Sequence, residues 1–225
     1  MSSPRQFRLV FDNFASGQVD ILLGTQMVAK GLDFPRVTLV GIVSADTALW
    51  IPDFRAAERT FQMIVQVAGR AGRAQLPADE SGTSRTGEVI VQTLHPSDPA
   101  IRLALEHDYS GFVHYELKHR KEMDLPPFSR LVRFIIRHGK LPRAEAAADV
   151  FAREVRELFH GDGAVRIIGP MRAGVFKIRG KFRFELNCFS RKPGYIQGVL
   201  AERITQMERK AGAEIIIDAD PVNLV

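Results

Sequence analysis

Apolar positions change period along the chain, and the changes mark its elements. Phe7, Val10, Phe11 and Phe14 fall at i, i+3, i+4 and i+7, which predicts a helix closed by Gly17. Residues 19–23 and 37–43 are apolar runs too short for helices, bounded by Gly, Thr and Pro. They predict buried parallel strands, since a strand covered on both faces is apolar throughout. Phe54, Ala57, Phe61, Val65 and Ala68 then mark one face of a helix, with Arg55, Glu58, Arg59 and Gln62 opposite. Residues 75–86 are polar and aperiodic and predict a mobile loop, and 88–93 predict another strand. The order α-β-β-α-β is that of an open α/β sheet.

The character changes after His95. Ser97 or Asp98 can cap a helix that has Pro99 in its first turn. Ile101, Leu105, Tyr109 and Phe112 carry its apolar face towards Leu117, and Leu125-Pro126-Pro127-Phe128 breaks it. Residues 131–137 read as a strand. Ala144, Ala148, Phe151, Val155 and Phe159 then form one face of a helix. Residues 165–168 and 182–189 read as strands. Ile196, Val199, Leu200, Ile204 and Met207 give a second helix stopped at Gly212, and 214–217 a last strand. This β-α-β-β-α-β order predicts an α+β, ferredoxin-like domain. The chain thus divides into 1–95, an α/β part with a parallel sheet; 96–127, linker helices; and 128–225, the ferredoxin-like part.

Composition narrows the class. The 225 residues are 45% hydrophobic and 25% charged, as in ordinary globular proteins. No apolar run approaches the ~20 residues of a membrane span, and residues 1–10 lack the apolar core of a signal peptide. The single cysteine, Cys188, excludes an internal disulfide framework and predicts a cytoplasmic setting. A net charge of +5 and a pI of 9.6 suit a polyanionic partner without singling out nucleic acid.

Three stretches carry candidate chemistry. Gly24 to Pro35 (GTQMVAKGLDFP) follows a predicted strand, where open α/β sheets bind ligands. Gly24 and Gly31 permit close backbone approach. Thr25 offers a hydroxyl to phosphate, and Asp33 can accept from a sugar hydroxyl or position an arginine. In Gln66-Val67-Ala68-Gly69-Arg70-Ala71-Gly72-Arg73, two arginines on a glycine-rich loop suit a nucleotide's terminal phosphate, because a guanidinium is planar, always charged and forked. In the third stretch, Phe176, Ile178, Phe182, Phe184 and Leu186 alternate with Lys177, Arg179, Lys181 and Arg183, with Gly180 at a bend or turn. Alternation predicts a row of cations on one strand face, suited to a phosphate backbone. A solvated strand face charged for solubility is the plainer explanation.

In this order and spacing, GTQMVAKGLDFP and QVAGRAGRA resemble motifs V and VI of superfamily 2 helicases. DFRAAERTFQMIVQ, the LPPF break and the terminal IDADP sharpen the resemblance to the C-terminal portion of the primosomal replication-restart helicases (PriA). The resemblance makes 1–95 part of a RecA-like second helicase lobe. It places Thr25 on the tracked strand's backbone, Gly31 and Asp33 at the nucleotide, and Gln66, Arg70 and Arg73 at the γ-phosphate, with Arg73 as the finger. It implies ATP and Mg²⁺ for the full-length parent, with zinc held by a cysteine cluster absent here. Forked or single-stranded DNA, primosome proteins and single-strand-binding protein are the implied partners, in a bacterial, nucleoid-associated setting.

The sequence also departs from that family. It has no G-x-x-x-x-G-K-[ST] phosphate loop and no acid pair for magnesium, which predicts that the chain alone does not hydrolyse ATP. A partial lobe with open sheet edges predicts self-association. The alternative to a helicase part is a non-catalytic module that binds nucleic acid or a partner. Other conspicuous residues read as structural. His114 and His119 do not share a helical face as metal ligands should. Asp218 and Asp220 suit a strand end, and Trp50 and Phe128 suit packing.

Overall fold

A computed structural model describes residues 4–25, 37–71 and 87–224. The chain divides into two compact units, Met1–Leu49 with Ala57–Phe112 and Trp50–Ala56 with Val113–Val225.

The first unit opens with helix α1 (Pro4–Ser16), closed at Gly17, whose φ of 80° suits glycine. Residues 19–23 form no strand, and Ile21 and Leu23 are 82% and 85% exposed. A strand exists through its hydrogen-bonded neighbours, and these residues find none among the described ones. Strands β1 (Leu39–Ile42) and β2 (Glu88–Val91) do pair, parallel and in register from Leu39 opposite Glu88 to Ile42 opposite Val91. They are not buried as predicted: half-exposed and exposed residues alternate along both.

The short helix α2 (Asp46–Leu49) and helix α3 (Ala56–Ala71) follow β1. The core of this unit is Ala45, Phe61, Ile64, Ile101, Leu103, Ala104 and Phe112, where Phe61 stacks on Phe112 at 4.2 Å. The predicted linker helix is two helices, α4 (Pro99–Leu105) and α5 (Tyr109–Glu122). Asp98 caps α4 by accepting from Ala100 N at 2.8 Å. The chain then turns at His107, φ 55°, and Asp108 starts α5 by accepting from Gly111 N. Leu105 and Tyr109 consequently face outward instead of continuing one apolar stripe. The predicted loop at 75–86 lies outside the described residues.

The second unit is a four-stranded antiparallel sheet with helices packed on one face. Its elements are β3 (Arg130–His138), α6 (Leu141–Leu158), β4 (Val165–Ile178), β5 (Lys181–Ser190), α7 (Tyr195–Leu200), α8 (Ile204–Ala211) and β6 (Glu214–Ala219). The sheet order is β4-β5-β3-β6. Val132, Phe134 and Ile136 of β3 and Phe184, Leu186 and Cys188 of β5 meet Ala144, Ala148, Phe151 and Val155 of α6. The Val, Ile, Leu and Phe side chains among these contribute about 1.5–3 kcal/mol each when fully buried, so this is the unit's main source of stability. The second predicted helix is interrupted at 201–203, where no glycine or proline announces a break, and Gly212 (φ 66°) ends α8 as predicted.

Phe54 does not join the face of α3. It precedes the helix and packs with Leu125, Leu131, Phe189 and Leu224, while Arg55 and Arg120 lie over its ring at 4.1 and 5.2 Å. The Asp53 carboxylate accepts from Arg55 N at 3.0 Å and Leu224 N at 3.2 Å. Trp50 and Phe128, expected to pack, are exposed instead. Near Trp50, it is Phe54 that packs, half-buried.

Candidate nucleotide and nucleic-acid contact sites

Helix α3 carries the described part of the arginine motif. Asp53 leads into it, with Ala56 N donating to the Asp53 carbonyl at 2.9 Å. Ala56, Thr60, Phe61 and Ile64 form its buried side. The opposite side is polar: Gln62 donates to Glu58 at 3.2 Å, and Gln66 is exposed one turn further on. Position 70 follows Gln66 by four residues, so the two share a stripe of the helix. The predicted loop is therefore helical through Ala71. One helical glycine costs only about 1 kcal/mol, too little to end a helix whose other side is fixed in a core. A Cβ added at Gly69 would meet nothing within 4 Å, so no described neighbour demands a glycine there. It leaves the helix surface bare beside Gln66.

Thr25 is exposed and follows an irregular segment. Gly31, Asp33 and Arg73 lie outside the described residues, as does the side chain of Arg70.

One residue that sequence reasoning missed organises the C-terminal ends of β1 and β2. Asp46 accepts from Thr93 Oγ1 at 2.9 Å and Leu94 N at 3.0 Å, tying the loops that leave the two parallel strands. Burial pushes its carboxyl up, but these bonds and nearby His95 outweigh burial and hold it below its ordinary range. The available signal was an aspartate and a threonine shortly past the ends of the two strands, Ile42 and Val91.

The row of cations in the second unit is not a single row. β4 and β5 form a hairpin whose turn is Arg179-Gly180, both at positive φ, as the glycine suggested. Lys177 lies opposite Phe182, so it shares the face that carries Phe182, Phe184 and Leu186. Its Nζ sits 4.5 Å from the Phe182 ring centroid. Lys181 and Arg183 point to the other face. The predicted single face is thus split, because the two-residue turn pairs Lys177 with Phe182 and Ile178 with Lys181.

On that other face the cations have partners. Glu214 accepts from Lys181 at 2.6 Å and from Arg137, and these two bonds lower its pKa to about 2. Arg183 donates to the Val175 carbonyl at 3.1 Å. Arg133 lies 3.9 Å from Glu185 and 3.7 Å from Asp218, and burial pushes the Glu185 carboxyl up. Asp220 accepts from Arg130 and from Leu131 N, both at 3.2 Å, so the two terminal aspartates hold strands together. Among the described residues no three His, Cys, Asp or Glu side chains converge as metal ligands.

Comparison with known proteins now decides the lineage. The model of the helicase conserved C-terminal domain matches residues 2–75, and that of the primosomal protein N C-terminal domain matches residues 121–222. Replication restart protein PriA of Bacillus subtilis is 38% identical over 211 residues, which is 92% of this chain and 25% of the relative. The chain belongs to the PriA family of replication restart proteins. The Treponema pallidum PriA is 38% identical over 95% of this chain and 31% of its own length. That of Thermotoga maritima is 32% identical over 95% of this chain and 26% of its own. The chain therefore spans about a quarter to a third of the PriA relatives it matches, and covers the part where both domain models are C-terminal ones. No helix among the described residues is long and apolar enough to cross a membrane.

Proposed function

We propose that this chain is the nucleotide-sensing and DNA-gripping part of an ATP-dependent DNA helicase of the replication-restart primosome. The observation that carries this reading is the polar stripe of α3, exposed at Gln66 and bare at Gly69, leading into Arg70 and Arg73. In this reading Gln66, Arg70 and Arg73 face the γ-phosphate and Arg73 stabilises the charge that develops there. Gly31 and Asp33 line the nucleotide's edge, and Thr25 holds the backbone of the tracked strand. Loss of the γ-phosphate removes what these arginines grip, so the loop bearing Thr25 is free to step with the lobe. The catalytic magnesium and the phosphate loop belong to the other lobe of the full-length parent.

The antiparallel unit, which we read as ferredoxin-like from its strand order, supplies a second grip on forked or single-stranded DNA. Of the four cations that sequence offers for it, Lys177 and Arg179 are the candidates, because Lys181 is bonded to Glu214 and Arg183 to the Val175 carbonyl. Primosome proteins and single-strand-binding protein are the protein partners consistent with the family, in the bacterial cytoplasm at the nucleoid. The separate core of this unit also favours a second reading, a binding module that works without catalysis.

Hydrolysis assays separate these readings. The purified chain should release no phosphate from ATP with or without DNA. In the full-length parent, Arg73→Ala should lower DNA-stimulated hydrolysis by about 10³-fold or more while DNA binding persists. Hydrolysis by the chain alone that Arg73→Ala abolishes would overturn the division of labour. Hydrolysis in the parent indifferent to Arg73 would remove the finger assignment.

A further inference from the structure

Between Asp162 and Glu185 the chain carries Arg166, Arg172, Lys177, Arg179, Lys181 and Arg183 and no acidic residue. The structure sorts these cations into two groups. Arg166 donates to the carbonyls of Met123 and Asp124 at 3.0 and 3.1 Å, Lys181 is bonded to Glu214, and Arg183 is bonded to Val175. Arg172, Lys177 and Arg179 are exposed and make no ion pair with any described residue.

The second group is held in place without an acid. The Arg172 guanidinium lies 4.8 Å from the Phe176 ring centroid and the Lys177 ammonium 4.5 Å from that of Phe182. The two rings are 5.5 Å apart and half-buried against the core. Positions 172 and 177 are an odd number apart, so simple alternation would set them on opposite faces. The register shift between them places Arg172 opposite Phe184 and Lys177 opposite Phe182, on one face. Arg179 stands at the hairpin turn beyond them, and the exposed Arg156 of α6 reaches the Gly169 carbonyl at the start of the irregular stretch.

We propose that Arg172, Lys177 and Arg179 form a contact surface for the sugar-phosphate backbone of DNA, and that Lys181 and Arg183 take no part in it. The proposal rests on the DNA-handling reading above and names the residues of its second grip. The rings lie beneath the cations, so they support the two stems and do not stack on bases. Binding is therefore indifferent to sequence and sensitive to salt. Charge along an edge strand also deters pairing with another sheet. That role does not require heads laid over aromatic rings on one face. The three side chains are donors only and carry like charge, which suits a chain of phosphate acceptors.

Fluorescence anisotropy with a labelled DNA fork, between about 50 and 200 mM NaCl, tests this. Glutamine keeps a stem over each ring and removes the charge. The variant Arg172→Gln/Lys177→Gln/Arg179→Gln should lose about tenfold or more in affinity. Its log affinity against log salt slope should flatten by about 2–3, at roughly 0.9 per phosphate contact. Lys181→Gln/Arg183→Gln should bind within about twofold of the parent chain on the same scale. If the triple variant proves unfolded by circular dichroism, Arg179→Gln at the exposed turn should still flatten the slope by about 0.9. An unchanged slope in the triple variant, or an equal loss in the Lys181/Arg183 variant, overturns the proposal and leaves the DNA-handling reading standing. If the parent chain binds no fork but captures an acidic peptide, the surface is a peptide site. If it binds neither, the DNA-handling reading of this unit fails together with the proposal.

Discussion

Gly169→Ala should destabilise the C-terminal unit by about 2–5 kcal/mol, through two separable effects. Gly169 has φ +108°, and a Cβ there would lie 2.7 Å from the backbone oxygen of Glu185 and 3.4 Å from Leu186 Cα. The backbone conformation alone costs an L-residue about 1–2 kcal/mol. The close approach adds about 1–3 kcal/mol, because the obstacle is the main chain of the neighbouring strand and not a flexible side-chain end. Gly161 isolates the first effect: its φ is +77° and its Cβ would meet nothing within 4 Å. Gly161→Ala should therefore cost only about 1–2 kcal/mol. Urea unfolding followed by circular dichroism, with hydrogen exchange of the β5 amides to assign the loss to this unit, gives both values. Equal losses at the two glycines would refute the close-approach argument. The site matters because it lies at the first register shift of β4, between Ile168 and Met171, ahead of the shift that aligns Arg172 with Lys177.

Other outcomes follow from the same geometry. Glu214 has its pKa lowered from 4.5 to about 2, so its bonds to Arg137 and Lys181 stabilise the fold fully above pH 4.5 and are lost as pH falls towards 2. Thermal melts across that window should fall less steeply for Glu214→Gln than for the parent chain, and identical acid limbs would count against the assignment. Burial pushes the Cys188 thiol up to about 12, so a thiol reagent at pH 8 should label it only as fast as the unit opens, with labelling accelerated by urea. Gly69→Ala should stabilise α3 by about 0.5–1 kcal/mol, since the site is helical and uncrowded. The same change should weaken nucleotide response in the full-length parent. A stabilised variant with unaltered hydrolysis would show that the bare surface serves no ligand.

Local pattern was enough to order most elements of the chain. The faces of α6, the turn at Gly180, the stop at Gly212 and the break at Leu125–Phe128 all depend on residues within one or two turns of each other. Those features are legible because side-chain period and glycine or proline chemistry act over short distances. The motif pair was legible for a different reason, as residue types at fixed spacing. What neighbours in space impose was not legible. The stretch 19–23 has strand composition but no strand partner among the described residues, and Gln66 to Ala71 has loop composition but sits on a helix anchored by Phe61 and Ile64. The clearest instance is the cation row. Sequence alone placed Lys177, Arg179, Lys181 and Arg183 along one alternating stretch. In the hairpin, the two-residue turn set Lys177 opposite Phe182 and left Lys181 and Arg183 on the other face with Glu214 and Val175, while a register shift of β4 against β5 brought Arg172 to the face of Lys177. A shift in register moves a side chain to the opposite face, and register belongs to the pair of strands, not to either one.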